Sequence, residues 1–199
     1  MEIDCRYAVR YRNGFKSLWI MQAPQSFIVT PKHKRYKSGK KMGDVVFETV
    51  TSIEDAKDVS KEAVVVAVPM NYNGEIEVGD EVIIHHNIFR SYFDQMGKMK
   101  YSRAHLYDDY FQCVPEELFL YKKDKWKANL EFCFIEPIHI DEDSLLDQVL
   151  EHTGTVFISN EHPEGTKIGF TPESEYEVWV DGKMYYRMRD LDVCLYVTE

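Results

Sequence analysis

Apolar residues in this chain fall into short runs of strand length separated by turn formers, and helical spacing appears once. In residues 1–26, Tyr7, Val9 and Tyr11 alternate on one face and Leu18 and Ile20 follow, so Asn13-Gly14 predicts a hairpin turn between them. Phe27–Thr30 is a β-branched run closed by Pro31, and Ala63–Val68 is a continuous apolar run that predicts a strand buried on both faces. Val82–Ile84, Phe119–Tyr121, Thr155–Ser159, Lys167–Phe170, Tyr176–Val180, Lys183–Met188 and Val193–Val197 predict further strands, with turns at Asn71–Glu75, Gly97 and Asp181-Gly182. The one helical signal is Asp141–His152, where Leu145, Leu146, Val149 and Leu150 recur at helical spacing, Asp141 or Asp143 caps the start and Gly154 stops the end. Many short strands with a single short helix predict an all-β protein of small antiparallel barrels or sandwiches.

The pattern occurs twice. Phe27-Ile28-Val29-Thr30-Pro31 matches Cys133-Phe134-Ile135-Glu136-Pro137, and Glu77–Ile84 matches Glu164–Phe170. Gly97–Arg103 matches Gly182–Met188, and Glu117–Tyr121 matches Asp192–Tyr196. Similarities in the same order along one chain predict two copies of one β unit. At 199 residues the chain accommodates two such units. The expected boundaries are an N-terminal extension over 1–26, a first unit over 27–122, a polar linker over 123–131 and a second unit over 132–199. Interior strand positions Val29, Val66, Ile83 and Leu120, with Phe134, Val156, Phe170 and Leu195, are the expected cores.

The first unit carries an insertion over 32–62. Lys32, Lys34, Arg35, Lys37, Lys40 and Lys41 come with no acid between them, and Glu54–Glu62 is charged and poor in large apolar residues. A connection of this length in a compact domain signals function or disorder. Within it, Gly43-Asp44 precedes the apolar Val45, Val46 and Phe47, with Val50 and Ile53 beyond. Such a tripeptide needs cover, which is either a partner groove or the protein itself as an extra strand or plug.

A net charge of −10 opposes bulk attraction to nucleic acid or anionic lipid. The basic run therefore reads as an intramolecular or intersubunit element, or as a solvated loop. Cys5, Cys113, Cys133 and Cys194 show no metal or disulfide spacing, which predicts buried thiols in a reducing cytoplasm. No signal peptide or membrane span is expected. His85-His86 follows a strand, where neighbours point to opposite faces, so the pair does not predict a metal site; His33, His139, His152 and His162 read as surface residues. Nucleophile, phosphate-loop and dinucleotide motifs do not occur, so neither enzyme activity nor a cofactor is expected.

The element order of the first unit resembles that of the GroES-type co-chaperonins. The matching parts are Phe27–Pro31, the long loop, Val64–Val68, the strand Val78-Gly79-Asp80-Glu81-Val82-Ile83-Ile84 and the closing Pro115-Glu116-Glu117-Leu118-Phe119-Leu120. The second unit matches in element order and closing strand but lacks the Val-Gly-Asp wording, and the first has only a tight turn where the best-known members carry a roof hairpin. The resemblance implies two tandem GroES-like barrels, similar to divergent bacteriophage members, in the cytoplasm of a cell or viral host. It implies a homo-oligomeric ring that caps or modulates a GroEL-like chaperonin, gripping it through Val45, Val46 and Phe47. Leu145, Leu146, Val149 and Leu150 are a possible second docking helix or a cover over the barrel mouth. The competing readings are an assembly protein that keeps the barrels without chaperonin binding, and a β module that binds a small ligand or polyanion.

Overall fold

A computed structural model describes residues 8–12, 15–19, 23–36, 40–42, 45–47, 58–139 and 149–197. The described residues are all-β, with helical backbone confined among them to 3-10 turns such as His86–Ile88, Pro115–Glu117 and Asp190–Asp192. The chain divides into two compact units, Met1–Leu118 and Phe119–Glu199.

In the first unit, β1 (Ala8–Arg12) and β2 (Phe15–Trp19) pair antiparallel with Arg12 opposite Phe15, as the Asn-Gly signal predicts. There follow β3 (Phe27–Pro31), β4 (Lys40–Met42), β5 (Val45–Phe47), β6 (Glu62–Ala67) and β7 (Glu81–Ile84). Next come β8 (Ser91–Phe93), β9 (Met99–Tyr101), β10 (His105–Tyr107) and β11 (Tyr110–Cys113). Five of these strands lie side by side in the order β10-β11-β3-β6-β7. In the second unit, β12 (Leu118–Lys122) forms a hairpin with β13 (Trp126–Ala128), so the segment expected as a linker contains a strand. The remaining strands are β14 (Phe132–His139), β15 (Val149–Ile158), β16 (Lys167–Phe170), β17 (Tyr176–Val180), β18 (Lys183–Arg189) and β19 (Val193–Tyr196). They form one sheet in the order β17-β18-β14-β15-β16-β19.

The orders β10-β11-β3-β6-β7 and β17-β18-β14-β15-β16 are the same path, and the registers agree residue by residue. Val29 faces Val65 and Pro31 faces Ala63 in the first unit, while Ile135 faces Val156 and Pro137 faces Gly154 in the second. Both ladders shift register at the corresponding point, between Ile28 and Val29 and between Phe134 and Ile135, and the second shifts again between Pro137 and His139. The entry strands therefore align as the sequence words do. The turns before β7 and β16 also share their hydrogen bonds: Gly79 N–H donates to Val65 O at 2.8 Å, and Gly165 N–H donates to Val156 O at 2.8 Å. After those strands, His85 N–H donates to Glu117 O at 2.8 Å and Thr171 N–H to Asp192 O at 2.9 Å, so each closing 3-10 turn sits in the corresponding place.

Gly79 and Gly165 hold φ of +99° and +82°, with open space where a Cβ would stand. Alanine there strains only the backbone. Gly79→Ala and Gly165→Ala are each expected to destabilise their unit by about 1–2 kcal/mol, read from urea denaturation midpoints. Equal midpoints for wild type and both variants would contradict the left-handed turn.

One sequence match does not survive. Gly97 lies in the hairpin between β8 and β9, a separate two-stranded sheet, where Asp94 Oδ1 accepts the N–H groups of Met96 and Lys98 at 3.0 and 2.9 Å. Gly182 lies between β17 and β18 of the main sheet. The residue pair that turns β10 into β11 is Asp108-Asp109, and Asp108 and Asp181 share the left-handed backbone at φ 47° and 49°. The Gly97 and Gly182 words thus sit in different strands, and the duplication stands on the other matches.

Val29, Ile83, Leu120, Phe134, Val156 and Phe170 are buried as expected, but Val66 and Leu195 are not. Strand β6 is not buried on both faces: Ala63, Val65 and Ala67 are buried, while Val64 and Val66, on the other face, are only partly so. Leu195 is 54 % exposed on the terminal strand, opposite Gly169, which has no side chain to cover it. The expected helix is also corrected. Leu145 and Leu146 lie outside the described residues, while Val149 and Leu150 belong to β15, with Val149 opposite His139. Gly154 is no helix stop but an interior strand residue, where a Cβ would come within 2.6 Å of Ile135 Cδ1 and 2.8 Å of Glu136 O.

Candidate functional site

The insertion in the first unit leaves the sheet at Pro31 and returns at Glu62, and Pro31 faces Ala63 in the ladder. Its two ends therefore meet at one point on the sheet. From there the strands stay zipped outward: Lys32 N–H donates to Glu62 O at 3.1 Å, Ser60 N–H donates to Arg35 O at 2.7 Å, and Tyr36 pairs antiparallel with Val59. Val59 is buried.

The start of the basic run is an anchor for this base. Lys32 Nζ is 2.9 Å from Glu81 Oε2 and 3.8 Å from Glu62 Oε2. Arg35 lies over the Tyr101 ring at 4.7 Å and donates from Nη1 to Ser91 Oγ at 3.5 Å. The Tyr36 hydroxyl accepts the N–H of buried Ser91 at 2.5 Å. Of the readings open for the run, the described residues Lys32, Arg35 and Tyr36 take the intramolecular one.

Beyond the base, Val45, Val46 and Phe47 form β5, which pairs with β4 in the register Lys40 to Phe47, Lys41 to Val46 and Met42 to Val45. These two strands make a sheet of their own and are not strands of the main one. An apolar tripeptide is thus carried on a hairpin separate from the strands that build the unit. Of the second candidate segment, Val149 and Leu150 stand on β15, a strand laddered to β14, and so do not form a docking helix.

Two polar clusters were not legible from spacing. His85 opens the 3-10 turn after β7 and accepts the Asn87 N–H on Nδ1 at 3.1 Å. The His85 and His86 rings stack at 4.4 Å, rather than pointing apart as two strand neighbours would. Burial first, then the charges of Lys61 and Arg90, lowers the His86 pKa and favours its neutral form. In the second unit His162 is mostly buried rather than on the surface, its Nδ1 2.8 Å from the Tyr196 hydroxyl and its Nε2 3.9 Å from Asp190 Oδ1. Ser159 donates its hydroxyl to the same Asp190 oxygen at 2.8 Å. Because the serine proton goes to the carboxylate and not to the histidine, the trio lacks the nucleophile-to-base contact of hydrolytic sites and ties β15, β19 and the Asp190–Asp192 turn together instead.

Among the described residues no group of three or more His, Cys, Asp or Glu converges to hold a metal ion, and no helix is long and apolar enough to cross a membrane. Cys113, Cys133 and Cys194 are free thiols. No protein-family model matches the chain, and no curated protein matches it.

Proposed function

We propose that this chain is a non-catalytic, co-chaperonin-like protein: two tandem GroES-like β-barrels that assemble into a homo-oligomeric ring and dock on a GroEL-like chaperonin through Val45, Val46 and Phe47. One observation carries the reading. An insertion whose ends meet at a single point of the sheet, and whose base is zipped, holds three consecutive apolar residues on a hairpin outside the main sheet. A segment built in that way is presented by the unit and does not hold the unit together.

Burying such side chains in a partner groove is worth about 1.5–3 kcal/mol each, less the cost of ordering the segment. Affinity per chain is then moderate, and a ring multiplies it through avidity while leaving each contact releasable. The duplication supports the same reading, since a second copy of the strand path without the long insertion supplies scaffold and no further tripeptide. With Val149 and Leu150 on a laddered strand, the reading places docking on the first unit alone.

The test is the triple variant Val45→Ser, Val46→Ser, Phe47→Ser. It is expected to lose co-sedimentation with a chaperonin in the presence of ATP while its oligomer mass and thermal melting stay those of the wild type. A triple variant that unfolds or dissociates assigns the tripeptide to the fold or to a subunit contact, and the protein to the assembly class without chaperonin binding. Retained co-sedimentation places docking elsewhere on the chain.

A further inference from the structure

A cavity of about 510 Å³ opens in the first unit beside the His86–Ile88 turn, its wall formed by Asn87, Arg90, Tyr92, Ser102, Arg103 and Glu117 among others. Its volume falls in the ~300–1,000 Å³ range of small-ligand sites. The wall is built by crossed hydrogen bonds: Ser102 donates its hydroxyl to Ile88 O at 2.6 Å and its N–H to Arg90 O at 3.0 Å. These two bonds fix the segment carrying Arg103 against the segment carrying Arg90, so both walls are set before any ligand arrives.

The charge of the cavity runs against that of the chain. The protein has 34 acidic and 24 basic residues, yet among the described residues neither Arg90 nor Arg103 has an ion-pair partner. Arg90 Nε is buried with no hydrogen-bond acceptor. A buried, charged donor without an acceptor is costly, and native proteins keep few of them without a use. Glu117 lines the same cavity without pairing to either arginine, and burial raises its carboxyl pKa, so it opposes an incoming anion less than an exposed carboxylate does. Tyr92, 43 % exposed, offers a ring at the wall.

We propose that this cavity binds a small organic molecule with a terminal oxyanion, a phosphate monoester or a carboxylate, which the Arg90 and Arg103 guanidinium groups grip while the body of the ligand lies against Tyr92. Guanidinium forks match the spacing of carboxylate and phosphate oxygens, and a charge-assisted bond gives the buried Arg90 Nε the acceptor it lacks. Ser102 does not donate to the ligand, because its proton is committed to Ile88.

Calorimetric titration of the full chain with phenyl phosphate, benzoate and inorganic phosphate tests the site and separates the two anion sources. One of the two aromatic probes is expected to bind saturably at one site per chain, and inorganic phosphate, which has no body for Tyr92, about tenfold more weakly. Arg103→Met, at an exposed position, should weaken the better probe about tenfold with thermal melting unchanged. Arg90→Lys, which keeps the charge and loses the fork, should also weaken it. No saturable heat from either aromatic probe overturns the proposal, as does an affinity that Arg103→Met leaves intact. Binding of an acidic protein or peptide at these arginines without binding of either probe overturns it too.

Discussion

Phe134→Ala is expected to destabilise the second unit by about 3–5 kcal/mol. Phe134 is fully buried on β14, opposite Ile158 of β15 on one side and Arg187 of β18 on the other. Because β14 is laddered along both edges, the backbone is held apart and the cavity left by the ring has little freedom to collapse. A loss of that size is comparable with the whole stability of a small domain, for which about 5 kcal/mol is the lower end of the usual range. Leu195→Ala is the control, since that side chain is 54 % exposed and its truncation should stay within about 0.5 kcal/mol. Urea denaturation midpoints read both. Equal losses at the two positions would contradict the burial described for them.

Native Cys133 is expected to resist alkylation by a factor of about 10³ or more relative to the same thiol in urea. Burial first, then the negative charge of Asp190, pushes its pKa up to about 12, against a lowering contribution from Ser159. At pH 8 the thiolate is then ~10⁻⁴ of the population, against roughly a quarter for an unperturbed thiol. Cys113 is raised as well, by burial and then by Glu117 and Glu116, whereas Cys194 is exposed and should label readily. Mass spectrometry of peptides after timed iodoacetamide treatment gives the rates. The same shift fixes a pH dependence with a definite sign. The native state holds the Cys133 proton to higher pH than the unfolded chain does, so its contribution is whole well below the unfolded thiol's pKa of about 8.5 and is lost as pH rises through about 12. Fast labelling of native Cys133 would place that thiol at the surface.

The entry strand was legible because its two copies keep the same constraints: an apolar run that must be buried, a register shift after its second residue, and a proline where the ladder meets the returning strand. The Gly-Asp turn was legible for a similar reason, since a left-handed backbone position restricts the residue choice and the second copy, Gly165, keeps the glycine though it loses the words around it. The match of Gly97 to Gly182 failed because a glycine at positive φ suits any tight hairpin turn, and both hairpins have one. In β6 the alternation was hidden. Small Ala63 and Ala67 take the inward positions and larger Val64 and Val66 the other face, so a run apolar on both faces concealed its own period. Around residue 150, apolar pairs four apart fit a helix, yet the β-branched Thr153, Thr155 and Val156 after them favour a strand, and that strand runs back to Val149.

The clusters were less legible than the strands. Arg90 and Arg103 form no sequence motif, and the β8–β9 pairing of Ser91 with Tyr101, with the Ser102 bonds to Ile88 and Arg90, brings them to one cavity. His162, Asp190 and Tyr196 meet for the same reason, through sheet neighbours that lie far apart along the chain. The tripeptide Val45–Phe47, by contrast, was visible at once, because apolar residues inside a charged insertion have no local reason to be there.

Docking on a chaperonin through that tripeptide is tested most directly by native mass spectrometry of the full chain, alone and mixed with a GroEL-like chaperonin and ATP. The expected result is a closed homo-oligomer alone and, in the mixture, a chaperonin shifted by the mass of one or two such oligomers. A chaperonin of unchanged mass beside an intact, folded chain would contradict it.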